Sequence, residues 1–193
     1  DYWTGWPFNV VNGNYFLSND ASKFYLLMNF LFKSPEYFLG LYLFFIVTFY
    51  SIKVFFNKSF KFFYYKLLFI ISLLIFPNLI LFFIPYPLYD GMRLFLWTLP
   101  YYSIIPSLSV YYLIENFHYL KQRLVFSFFS IFFIYFLYNF FIITPYHYTY
   151  LNLLNGKTEN RYQKFENDYW GASIKELIKK YYFLNNKTLL IAS

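Results

Sequence analysis

Long apolar runs separated by short polar breaks set the rhythm of this chain. Leu67 to Tyr89 carries no Asp, Glu, Lys or Arg for roughly 23 residues, and Leu94 to Ile114 none for roughly 21, each enough to cross a hydrocarbon core of about 30 Å as a helix. Between them stands Tyr89-Asp90-Gly91-Met92-Arg93, one acid, one glycine and one base, which reads as the mouth of a helical hairpin at a membrane surface. An uncharged stretch from Tyr37 to Ile52 follows Pro35-Glu36, and Pro35 suits a first helical turn, where its missing amide donor is not needed. A last run, Leu124 to Ile143, is again free of charge. The pattern predicts spans over 35–56, 67–86, 93–114 and 124–143, with Pro77-Asn78 expected to kink the second.

The flanks read differently. Residues 1–34 are mixed: Trp3 and Trp6 suit an interfacial belt, Asn12-Gly13 is a turn signal, and Ala21 to Phe32 is expected as a short helix that Asp20 caps. From Thr144 onward the chain turns polar. Ser173-Ile174-Lys175-Glu176 is a capping-box pattern, Ile174, Leu177, Ile178, Tyr181 and Tyr182 recur at helical spacing, and Thr188 to Ala192 reads as a buried strand. The expected fold is therefore mainly α: a polytopic helical membrane protein with about four transmembrane helices and the start of a small exterior α/β domain. Residues 1–34 form an exterior loop and amphipathic helix, 35–143 the transmembrane region, and 144–193 the exterior segment. A first residue Asp1 and an end in mid-strand at Ser193 give the expectation of a piece of a longer protein.

Composition supports the membrane reading, since 60% of residues are hydrophobic and only 13% charged, against the roughly 25% usual in soluble domains. The absence of Cys removes disulfides, thiolate metal sites and Cys nucleophiles. A net charge of +7 comes from bases scattered through short connections, a pattern of membrane topology and not of nucleic-acid binding. Lys53, Lys58, Lys61 and Lys66 stand in one connection without an acid, and Lys121 and Arg123 lie in another, so both are expected on the cytoplasmic side. The 89–93 break and the segment after Thr144 then face the exterior of the cell (inner) membrane, the periplasm in a Gram-negative bacterium.

Asp90 and Arg93 are spaced i to i+3 and share a helical face if the third span starts early. One reading is an interfacial ion pair; the other puts Arg93 in an exterior cavity, holding a phosphate bidentately with Asp90 orienting it. Lys33 and Glu36 lie at the same exterior level, with Lys23 one helix earlier, and each reads as a snorkelling charge before it reads as a ligand. His147 has no second His on its side, so no His metal cluster is expected. Glu166, Asp168 and Trp170 read as a surface turn with a packing Trp. The sequence contains no Gly-rich phosphate loop and no convincing serine triad.

Three segments, Tyr89 to Pro100 (YDGMRLFLWTLP), Pro145 to Gly156 (PYHYTYLNLLNG) and Phe165 to Ser173 (FENDYWGAS), together resemble the C-terminal half of bacterial membrane glycosyltransferases of the GT-C superfamily, the multi-pass enzymes similar to protein O-mannosyltransferases and the lipid A aminoarabinose transferase. Phe30 to Gly40 (FLFKSPEYFLG) is similar to that family's exterior amphipathic helix leading into a span. The chain departs from the family pattern at Leu94, where a His is usual, and at Gly156-Lys157, where a Gly-Gly pair is usual. The resemblance implies transfer of a sugar from a polyprenyl-phosphate donor to a glycan, lipid or protein acceptor on the exterior face. It also implies that the catalytic acid lies upstream of these residues; Arg93, Asp90 and Lys33 are the substrate-binding candidates, no cofactor is expected, and a divalent metal is left open. The competing classes are a transporter subunit, which needs buried charges along a midplane path that none of the four runs contains, and a non-catalytic membrane scaffold.

Overall fold

A computed structural model describes residues 8–17, 22–84, 86, 88, 91–165 and 174–185. The protein is mainly helical. A small antiparallel hairpin comes first, β1 (Phe8–Val11) paired with β2 (Asn14–Leu17) in the register Val11 to Asn14. Asn12 (φ 49°) and Gly13 (φ 81°) both turn through the left-handed region, as a two-residue hairpin loop requires. The sequence reading took this stretch for a loop, because four-residue strands with Asn at an end are too short to show alternation.

Helix α1 (Tyr25–Lys33) meets α2 (Glu36–Val47) at a bend of 110°. Then follow α3 (Phe49–Ser59), α4 (Phe63–Phe83), a 3-10 segment Arg93–Thr98 that runs into α5 (Leu99–Asn116), and α6 (Tyr119–Ile142). Short 3-10 turns lead from there to α7 (Ile174–Asn185), which falls where the helical spacing predicts it. Asp20, Ser173 and the expected strand at 188–192 lie outside the described residues.

Helices α4 and α6 are long and apolar enough to cross a membrane, and the bent pair α1–α2 brings the number to three if it is counted as one span. Two expected spans take another form. The stretch 35–56 is divided at Thr48, whose hydroxyl donates to the Phe44 carbonyl at 2.6 Å, and 93–114 begins as 3-10 turns before α5, which carries serines, two prolines and Glu115. Helix α4, by contrast, continues through Pro77.

The helices pack through two cores. One gathers Phe45, Ile52, Phe56, Phe63, Leu67, Leu74, Tyr102, Ile105 and Tyr112 from α2 to α5. At its far end Phe56 stacks on Phe63 at 4.8 Å and Phe55 meets Tyr112 edge-on, so the α3–α4 and α5–α6 connections share one end of the bundle. This end carries Lys58, Lys61, Lys66, Lys121 and Arg123. The second core joins Val11, Tyr25, Leu26, Leu81, Leu88, Leu151 and Phe165, and so ties the hairpin, α1, the end of α4 and the segment after α6 together at the opposite end. Helix α6 is attached by one face: Gly40 of α2 lies under the Phe129 ring, and Tyr37 meets Phe133 and Phe136 edge-on.

Candidate functional site

The elbow between α1 and α2 leaves backbone groups stranded. In a continuous helix the Leu31 carbonyl would accept from the amide of residue 35, but residue 35 is proline and has none. The segment after α6 supplies the missing donors. Asn152, fully buried, donates from Nδ2 to the carbonyls of Leu31 (2.6 Å) and Ser34 (2.8 Å), and its backbone amide donates to Phe32 (3.1 Å). Asn155 Nδ2 donates to Phe32 as well, at 3.0 Å. At the first turn of α2 the Glu36 carboxylate accepts from the Tyr150 hydroxyl (2.7 Å) and the Leu153 amide (2.9 Å). Burial, and next the Glu36 carboxylate, hold the Tyr150 phenol well above its ordinary value.

Further polar contacts close this clasp. Arg161 donates to the carbonyls of Gly156 and Leu151, each at 3.0 Å, and Lys164 Nζ donates to Asn155 at 2.6 Å. Gly13 of the hairpin donates to the Lys164 carbonyl at 3.0 Å, and Val11 bridges to Phe165. Segments quoted from 30–40 and 145–156 thus form one structure, although more than a hundred residues of chain separate them.

The polar break is docked on the same assembly. The Gly91 amide donates to the Tyr25 hydroxyl at 2.8 Å, with Gly91 at φ 62°, and Asn9 Nδ2 donates to the Leu88 carbonyl. Between the last turns of α4 and the 3-10 segment lies an apolar groove of about 350 Å³. Pro77, Ile80, Ile84, Leu94, Phe95 and Trp97 are among its walls. Arg93 is exposed and directly precedes the first groove residue on that wall.

The predicted site residues fall as follows. Arg93 opens the 3-10 segment, and Lys33 closes α1 with Nζ 5.5 Å from the centre of the Phe165 ring. Their neighbours Met92, Leu94 and Phe32 pack against the second core, so both sit at one end of the bundle. Asp90 lies outside the described residues, as do Glu166, Asp168 and Trp170. Glu36 is the elbow's anchor, a role the sequence reading did not assign. Lys23 Nζ lies 4.6 Å from the Phe82 ring, at the groove end of α4. The His147 ring stacks on Phe140 at 3.8 Å. Among the described residues no group of three or more His, Cys, Asp or Glu is placed to hold a metal ion.

Sequence reasoning missed Tyr150, Asn152 and Asn155 as structural residues; asparagines inside a Leu-rich stretch are the one local signal, since a buried amide needs backbone partners. Comparison of the chain with protein-family models, with curated proteins and with solved structures gave no match.

Proposed function

We propose that this chain is part of an integral-membrane glycosyltransferase that moves a sugar from a polyprenyl-phosphate carrier to a glycan, lipid or protein acceptor on the exterior face. Its four apolar runs are read as spans, the basic end as cytoplasmic and the clasp end as exterior. The single observation that carries this reading is the apolar groove between α4 and the Arg93–Thr98 segment, with a guanidinium-bearing residue at the start of one wall.

The chemistry follows from that juxtaposition. An isoprenoid chain has no polar groups to satisfy and fits a groove walled by Ile80, Ile84, Phe95 and Trp97. Arg93 meets the phosphate at its head through paired N–H donors and stabilises the charge that develops on the leaving group as the sugar departs. Asp90 orients the guanidinium, and Lys33 adds positive charge on the same end. Tyr25 of α1 and Asn9 of the hairpin hold Gly91 and Leu88 beside the groove wall.

The test is Arg93→Ala in the full-length protein, with sugar transfer measured from a polyprenyl-phosphate donor in membranes. A loss of about tenfold or more in turnover, for one charge-assisted bidentate contact, is the expected result. Unchanged turnover removes the site, and protection of residues after Thr144 from protease added outside the cell removes the topology.

A further inference from the structure

Helix α6 carries a second polar-to-apolar surface. Helix α6 touches its neighbours through Phe129, Phe133, Phe136 and Phe140, and none of its residues is buried. Flanking that stripe runs a shallow groove of about 570 Å³. Gln122, Arg123, Ser127 and Ser130 line its basic-end half around Phe126, and it continues over Ile131 and Ile134. Those two isoleucines are 66% and 64% exposed, so among the described residues nothing covers the apolar half.

We infer that this groove binds one anionic phospholipid of the surrounding bilayer, with Arg123 anchoring its phosphate, Ser127 and Ser130 meeting its glycerol and ester oxygens, and Ile131 and Ile134 lying along an acyl chain. The inference rests on the membrane-spanning reading proposed above and is independent of the sugar chemistry. Three observations support it. Arg123 rests on an aromatic ring: its guanidinium lies 3.9 Å from the centre of the Tyr119 ring, and its fork of N–H donors can meet a phosphate.

The serine hydroxyls are the second. Ser103 and Ser107 of α5 donate to carbonyls of their own helix at 2.7 Å, whereas among the described residues no such bond ties Ser127 or Ser130. The third is charge. Lys58, Lys61, Lys66, Lys121 and Arg123 crowd this end with Glu115 as the nearby acid in sequence, and the first turn of α6 adds its own positive pole. A net-negative headgroup is therefore preferred over a zwitterionic one.

The experiment uses the full chain reconstituted into phosphatidylcholine vesicles containing phosphatidylglycerol, then extracted in mild detergent for native mass spectrometry of retained lipid. Wild type should retain phosphatidylglycerol in preference to phosphatidylcholine, and Arg123→Gln should lower that retention about fivefold. Ser127→Leu combined with Ser130→Leu, which fills an exposed groove without touching the α2 contact, should lower it too. Lys61→Gln, a charge loss at the same end away from the groove, should leave it unchanged. Equal retention by wild type and Arg123→Gln overturns the site, and an equal loss in Lys61→Gln replaces it with diffuse attraction. A chain that fails to float with the vesicles at all overturns the membrane reading, and this inference with it.

Discussion

Removing the Asn152 amide should unfasten the elbow. In Asn152→Ala the carbonyls of Leu31 and Ser34 lose donors at 2.6 and 2.8 Å, and the Leu154 amide loses its acceptor at 3.1 Å. The two carbonyls regain no helical partner, because Pro35 has no amide and the chain turns by 110° at this point, and the Leu154 amide loses the side-chain cap of its own 3-10 turn. Each lost bond in a buried site is worth about 1 kcal/mol net, so the variant should be destabilised by about 3 kcal/mol. The measurement is unfolding of the purified chain in mixed micelles by SDS titration, followed by far-ultraviolet circular dichroism. Asn139→Ala is the matched control. Its Nδ2 donates at 2.8 Å to the Tyr135 carbonyl, which keeps its own helical amide, so that change should cost less than about 1 kcal/mol. An Asn152→Ala variant as stable as wild type, or one no worse than Asn139→Ala, would refute the reasoning that the elbow depends on borrowed donors.

Further outcomes follow from neighbouring contacts. The raised Tyr150 phenol keeps its proton in the folded chain after the unfolded one has lost it, so its contribution is full below the ordinary value of 10.0 and fades as pH rises above it; the stability gap between wild type and Tyr150→Phe should therefore shrink above pH 10.0 in alkaline unfolding titrations. A methyl group added at Gly40 would stand 2.9 Å from Phe129 Cε1, so Gly40→Ala should loosen the seam between α2 and α6 and destabilise the chain by about 1–3 kcal/mol in the same SDS titration. At Gly13 an added Cβ meets nothing within 4 Å, and the penalty is conformational alone: with φ at +81°, Gly13→Ala should cost about 1 kcal/mol, and an equal penalty absent from thermal melts would contradict the hairpin geometry.

The order of helices and the sorting of charge between the two ends were legible in the sequence, because unbroken apolar runs and bare lysines need no partner to be recognised. Two of the four expected spans are not single long helices: Thr48, its hydroxyl bonded to Phe44, stands between α2 and α3, and Arg93–Thr98 winds as 3-10 turns before α5 begins. The hairpin was hidden by brevity, and its partner is not adjacent sequence but Lys164 and Phe165. Least visible was the clasp. Its bonds join positions 114 to 123 residues apart, and no periodicity in a window of a dozen residues reports on them. Arg93 was legible as an isolated base between apolar runs, while the groove beside it depends on how α4 and the 3-10 segment cross.

The distance along the chain between the elbow and its fastener imposes a schedule on biosynthesis. A ribosome delivers Leu31 to Glu36 long before Tyr150 to Asn155, so α1 has to wait, its last carbonyls wetted by solvent, until α6 has been made. Only then does the late-made strap reach back to the early-made corner. Chains halted before residue 150 should carry every helix from α1 to α6 and still lack the 110° elbow that seats the first of them.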